Sequence, residues 1–146
     1  MTTPETTKKH HAISRRNLLI LGGVAVATAA VPASFRLFEH EAESTIDELL
    51  AMLSDREGAA MIGRRWLETT GQEKQKTVAA KITKRLRTHG WQPGNTPEAL
   101  HEALGSRIRH DFEHGDMVEV SGWQLSRTSV ELCVLAALHQ DAVAIG

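Results

Sequence analysis

Met117-Val118-Glu119-Val120-Ser121-Gly122-Trp123-Gln124-Leu125-Ser126 is the stretch whose reading decides the fold. Two short runs of alternating apolar and polar residues meet there at a Ser-Gly pair, the pattern of a small β-hairpin with a two-residue turn. The period then lengthens. Ser126 is placed to cap a helix, and Val130, Cys133, Val134, Ala137 and Leu138 follow at i, i+3, i+4, i+7 and i+8, one core-facing helical side.

Upstream of the hairpin the spacing is helical throughout. Thr96-Pro97-Glu98 is a helix start, with a capping hydroxyl, a proline at the first helical position and an acid in the first turn. Leu100, Leu104, Ile108 and Phe112 then fall four apart as an apolar stripe, and Gly115 closes the helix. Before it, Glu73 to His89 reads as a helix with Val78, Ala79, Ile82 and Leu86 on one side. Lys74, Lys76, Lys81, Lys84, Arg85 and Arg87 lie around the rest as a solvated face, and Gly90 is the stop. Ser54 and Glu57 frame a capping signature for a helix ending near Gly71, with Met61, Ile62, Trp66 and Leu67 as its apolar side and room at Gly63 for another helix to approach. Thr45 and Glu48 form the same signature for a first helix carrying Ile46, Leu49, Leu50 and Leu53. The expected fold is mainly α: a small bundle of about five helices with one short β-hairpin before the last helix.

The N-terminus carries an address. Ser14-Arg15-Arg16-Asn17-Leu18-Leu19 follows a basic leader and runs into an apolar stretch rich in Leu, Ala, Gly and Val, the form of a twin-arginine signal, which sends folded proteins across the bacterial inner membrane. Leu18 to Ala33 offers at most 16 residues, diluted by Gly22, Gly23, Thr28 and Pro32. A membrane span needs about 20 predominantly apolar residues, so no stable anchor is expected. Val31-Pro32-Ala33 supplies small residues for cleavage before Ser34. The chain therefore divides into a signal peptide over 1–33, a linker over 34–43 and a helical domain over 44–146, in the periplasm or otherwise exported.

Composition narrows the chemistry. Of 17 cations and 18 acids, four and one lie before Ser34; the remainder carries 13 against 17, a net charge of −4 with histidine neutral. A mildly acidic domain without a basic block gives no electrostatic case for nucleic acid or anionic lipid. Cys133 is the only cysteine, which excludes an intramolecular disulfide, zinc sites built on several cysteines and covalent haem attachment. No glycine-rich phosphate loop or serine-hydrolase elbow occurs, so neither a cofactor nor a catalytic constellation is expected.

Asp111-Phe112-Glu113-His114-Gly115, then Val118-x-Val120-x-Gly122-Trp123-x-Leu125-Ser126-Arg127-Thr128 and Leu132-Cys133, resembles a C-terminal pattern of small exported bacterial proteins of undefined function. Size and plan are also loosely similar to small accessory subunits of periplasmic dehydrogenases. The resemblance implies export and a fold neighbourhood, and brings no catalytic residue with it. An acid often follows the Ser-Arg-Thr of that pattern; here the position is Ser129, and Glu131 offers a box with Thr128 that would start the helix two residues later.

His110 and His114, four apart on one helical face, are the weak candidates for metal. They lie away from the apolar stripe, and no spacing demands a third ligand from His101, His139 or His40, so they read as a solvated helix end. Cys133 reads as a buried, inert thiol. Among three tryptophans, Trp66 and Trp91 suit the core or its rim, whereas Trp123, beside Gly122 and two residues from Leu125, is placed to be an exposed anchor for a partner. The expected function is an exported accessory or small subunit that folds with a larger protein, such as a periplasmic oxidoreductase, and takes it through the twin-arginine translocase. The alternative is an independent periplasmic module for a small ligand or metal.

Overall fold

The computed structural model describes residues 40–146. The signal motif, the cleavage position and residues 34–39 of the expected linker lie outside the described residues. Five helices and one antiparallel hairpin make up the rest: α1 over 40–51, α2 Arg56–Thr70, α3 Gln75–Arg87, α4 Pro97–Glu113, β1 Met117–Val120, β2 Trp123–Ser126 and α5 Arg127–Ile145. The hairpin directly before the last helix is the architecture the change of period implies.

α5 is the centre of the domain. Thr128, Val130 and the run Leu132 to Ala137 are buried, so the helix is covered all round over this stretch and not on the single side expected. Among the described residues it is the one helix long and apolar enough to span a membrane, a composition that its central place among α2, α3 and α4 also demands. Its N-cap is Ser126, whose hydroxyl accepts the Ser129 amide at 3.0 Å and donates to the Ser129 hydroxyl at 2.8 Å. The later start at Thr128 is thereby overturned: Arg127 is already helical, and Glu131 faces Arg85 instead.

α2 lies along α5 at close range. Ala59, Ala60, Gly63 and Leu67 form its buried face, and a Cβ at Gly63 would stand 2.1 Å from the Cys133 carbonyl oxygen and 2.8 Å from the Val134 Cα. Gly63 therefore does provide the close approach its position suggested. The face itself differs from expectation, because Met61 and Ile62 point outward, Trp66 is half-buried at the rim and only Leu67 of the four enters the core. The helix begins one residue later than Ser54 would place it: Asp55 is the cap, its carboxylate accepting the Gly58 amide at 2.9 Å. Gly71, at φ 94°, ends it.

In α1 the Thr45 signature is not a start. Helix already runs from residue 40, through the last four residues of the expected linker, and the Thr45 hydroxyl donates to the Glu41 carbonyl one turn back. Ile46, Leu49 and Leu50 are buried as expected. α3 buries Val78, Ala79, Ile82 and Leu86, and the turn at Gly90 folds Trp91 completely into the core. Thr96 caps α4 with Pro97 at its first position.

The α4 stripe drifts. Residues four apart advance about 40° each, so from Leu100 to Phe112 the stripe turns about 120° and leaves the core, whereas eleven residues return within about 20°. Leu100, Ala103, Leu104 and Asp111 are accordingly the buried positions, Ile108 is half-buried and Phe112 is 57% exposed.

Candidate functional site

The hairpin aligns Val118 with Leu125 and Val120 with Trp123, so these four side chains share one face. Ser121 and Gly122, at φ 52° and 84°, make the turn with both central residues in the left-handed region, the type I′ geometry that matches strand twist. Val118 and Val120 are buried against the body of the domain, Leu125 is half-buried and Trp123 at the turn is 73% exposed. The apolar face thus begins in the core and runs out into solvent.

α2 supplies the other wall. Because its small residues face α5, its larger apolar residues are left outside: Met61 is 62% and Ile62 37% exposed. Between them and the hairpin lies an open groove of about 560 Å³, lined by Met61, Ile62, Val120, Ser121, Trp123 and Leu125, with Arg64, Arg65 and Glu68 along the α2 side. Of the three candidates read from the sequence, Trp123 and Leu125 line the groove, whereas Gly122 lies in the turn beside Trp123 and does not line it. Met61 and Ile62, expected on the core side of α2, stand outside it. The signal for their true role was Ala59, Ala60, Gly63 and Leu67, an equally regular helical face made of smaller side chains.

A second cluster is ionic and holds the fold. Asp116 accepts from Arg127 Nε at 2.6 Å and from Arg85 Nη1 at 2.9 Å, with Arg107 Nη2 at 3.4 Å. Arg107 also pairs with the fully buried Asp111 at 2.7 Å, and Arg85 Nε with Glu131 at 3.2 Å. The hydrogen bond from Arg127, supported by Arg85, holds the Asp116 carboxyl below its ordinary range, while burial pushes Glu131 up against the opposing pull of Arg85. Arg85, expected on the solvated face of α3, is therefore turned inward. The cleft of about 630 Å³ lined by Lys81, Lys84, Arg85, Arg107 and Arg127 has Glu131 in its wall and Asp111 and Asp116 behind it. These arginines are neutralised within the protein, which makes the cluster a latch between α3, α4 and the start of α5.

Of the two candidate histidines, His114 is exposed at the end of α4 as expected, and His110 is not. His110 is half-buried, not solvated; its ring stacks on His114 at 3.9 Å and 13° and meets the His89 edge at 5.6 Å. His114 Nδ1 lies 2.9 Å from the His110 carbonyl and, as the only possible donor of the two, occupies itself there. Stacked parallel rings do not converge their nitrogens on one cation, and His139, a conceivable third ligand, is bonded to Gln75 at 3.0 Å. Among the described residues no group of three His, Cys, Asp or Glu gathers as a metal site. Burial pushes the Cys133 thiol up to about 11, the inert thiol expected. Comparison of the chain with protein-family models, curated proteins and solved structures gives no match.

Proposed function

We propose that this protein is an exported accessory subunit that folds with a larger periplasmic protein, an oxidoreductase being the preferred class, and accompanies it through the twin-arginine translocase. The observation that carries the docking role is the groove between α2 and the hairpin, lined by Trp123 and Met61, both mostly exposed. Tryptophan and methionine are enriched at protein interfaces, and contiguous exposed apolar surface rimmed by polar residues is characteristic of them. The choice of an oxidoreductase rests on the export route, which serves proteins that fold before crossing, commonly around a cofactor. Affinity purification of the tagged protein from its native periplasm tests the reading. One larger protein should be recovered in stoichiometric amount, and Trp123→Ala should weaken that complex by about 2 kcal/mol or more, the scale of an interface hot spot. Recovery of the wild-type protein alone would overturn it.

A second reading has one observation in its favour. A volume of about 560 Å³ lies within the range of small-molecule sites, about 300–1,000 Å³, so an independent periplasmic module could hold an apolar ligand in the same groove. Native mass spectrometry of the periplasmic protein separates the two, since a retained small molecule would favour the module.

A further inference from the structure

We infer that the contact between His89, in the turn that ends α3, and His110 of α4 is an acid-sensitive joint: proton uptake by His89 weakens the contact and loosens the turn that carries Trp91 into the core. Three imidazoles meet at this corner. The His89 ring stands at 77° to that of His110 with 5.6 Å between centroids, and His110 in turn stacks on His114 at 3.9 Å. His89 and His110 are half-buried, and the Nδ1 of His110 is enclosed without a hydrogen-bond partner among the described residues. Enclosed polar atoms without partners resist ionisation, so the corner suits neutral rings. The turn itself is held by two amides, those of His89 and Trp91, which donate to the Leu86 carbonyl at 2.9 and 3.2 Å, and the Trp91 side chain beyond it is completely buried.

A charge on His89 finds little to answer it. Arg107, His110 and Asp111, all of α4, act on the ring: burial, then Arg107 and His110, hold its proton affinity below the ordinary histidine range, while Asp111 pulls the other way. Asp111 is a poor counter-ion here, because its carboxylate already takes the Arg107 guanidinium at 2.7 Å and the Thr128 amide at 2.9 Å. One turn back on the same side of the joint, Arg85 is a further cation, engaged with Asp116 and Glu131. The unfolded chain takes up the proton at the ordinary histidine value, about 6.5, before the folded protein does. The stability contributed by neutral His89 is therefore full above that value and is lost as pH falls from there through the lower folded value. This window lies above the one in which Asp116 titrates.

The test compares the protein purified from the periplasm at about pH 7.5 and about pH 5.5, either side of the ordinary histidine value. Amide hydrogen exchange, corrected for the intrinsic effect of pH, should show residues 86–91 losing protection at the lower pH ahead of the buried stretch of α5. His89→Gln, polar but without a titratable charge, should keep that protection, and its urea midpoint should fall less between the two pH values than that of the wild type. Glu131, which burial holds above its ordinary range, takes up its proton in both proteins and cancels in the comparison. Proton NMR of the wild type reads the ring itself: His89 should titrate below about 6.5 and move up toward that value in His110→Gln, which removes a facing imidazole. Parallel pH profiles for wild type and His89→Gln, or a His89 ring that titrates at or above about 6.5, would overturn the inference. Should His89→Gln fail to fold, the exchange and NMR titration of the wild type decide it: no loss of protection at residues 86–91 would overturn it equally.

Discussion

Asp111, near the end of α4, accepts the backbone amide of Thr128 in the first turn of α5 at 2.9 Å, with its side chain completely buried. The carboxylate sits at a helix N-terminus, where unpaired amides and the helix dipole favour negative charge, and its other oxygen pairs with Arg107. Its own carbonyl accepts the Asp116 amide at 2.8 Å, and the Asp116 carbonyl accepts the Arg127 amide at 3.0 Å. One residue thereby registers α4, the hairpin and α5.

Removing that carboxylate leaves Arg107, only 12% exposed, without its buried partner. Asp111→Ala should cost about 3–5 kcal/mol, the range for breaking a buried ion pair from one side. Urea midpoints on the purified domain measure it, and a loss below about 1 kcal/mol would mean the latch is ornamental.

Gly63 is the most demanding position on α2. Gly63→Ala puts a Cβ into the Cys133 carbonyl and should destabilise by about 1–3 kcal/mol as the helices move apart. Met61→Ser, on the outer face, should stay within about 0.5 kcal/mol. If thermal unfolding reverses that order, α2 packs through its larger residues.

Acid should act through Asp116. Its carboxyl lies below the ordinary range in the fold, chiefly through the Arg127 hydrogen bond, so the unfolded chain takes up the proton first. The stability this group contributes is full above the ordinary Asp value, about 4, and is lost as pH falls through the lower folded value. Asp116→Asn should be less stable than wild type at neutral pH and should flatten the acid limb of the stability curve. Parallel acid limbs for the two proteins would place the titrating group elsewhere.

Export should depend on the paired arginines. Arg15→Lys/Arg16→Lys should retain the precursor in the cytoplasm with its domain folded, because a receptor reads the motif and the core does not contain it. Fractionation and immunoblotting check this, and undiminished export through the general secretory pathway would contradict the twin-arginine reading.

The hairpin was legible because strict alternation and a Ser-Gly turn leave little choice of structure, and with it came the cap at Ser126 and the exposed place of Trp123. What misled was size. Weighting large apolar residues put Met61, Ile62 and Phe112 in the core, where Ala59, Ala60, Gly63 and Asp111 are found. A helix packed through glycine and alanine approaches its neighbour closely and leaves its bulky residues free, which is how α2 builds one wall of the groove. Arg107 and Asp111 stand i, i+4 on α4, a spacing open to reading in the sequence, but their burial depends on the Thr128 amide of α5 closing over Asp111, a contact between helices that has no signature in a linear pattern.

The central claim is that the Trp123 end of the groove is covered by a larger exported protein. A photo-crosslinking phenylalanine analogue placed at position 123 of the full chain, irradiated in the native periplasm, tests it most directly. The account predicts one dominant adduct with a larger protein, absent when the analogue replaces His101, an exposed residue of α4 that does not line the groove. An adduct formed only with a second copy of the chain, or none at all, would contradict it.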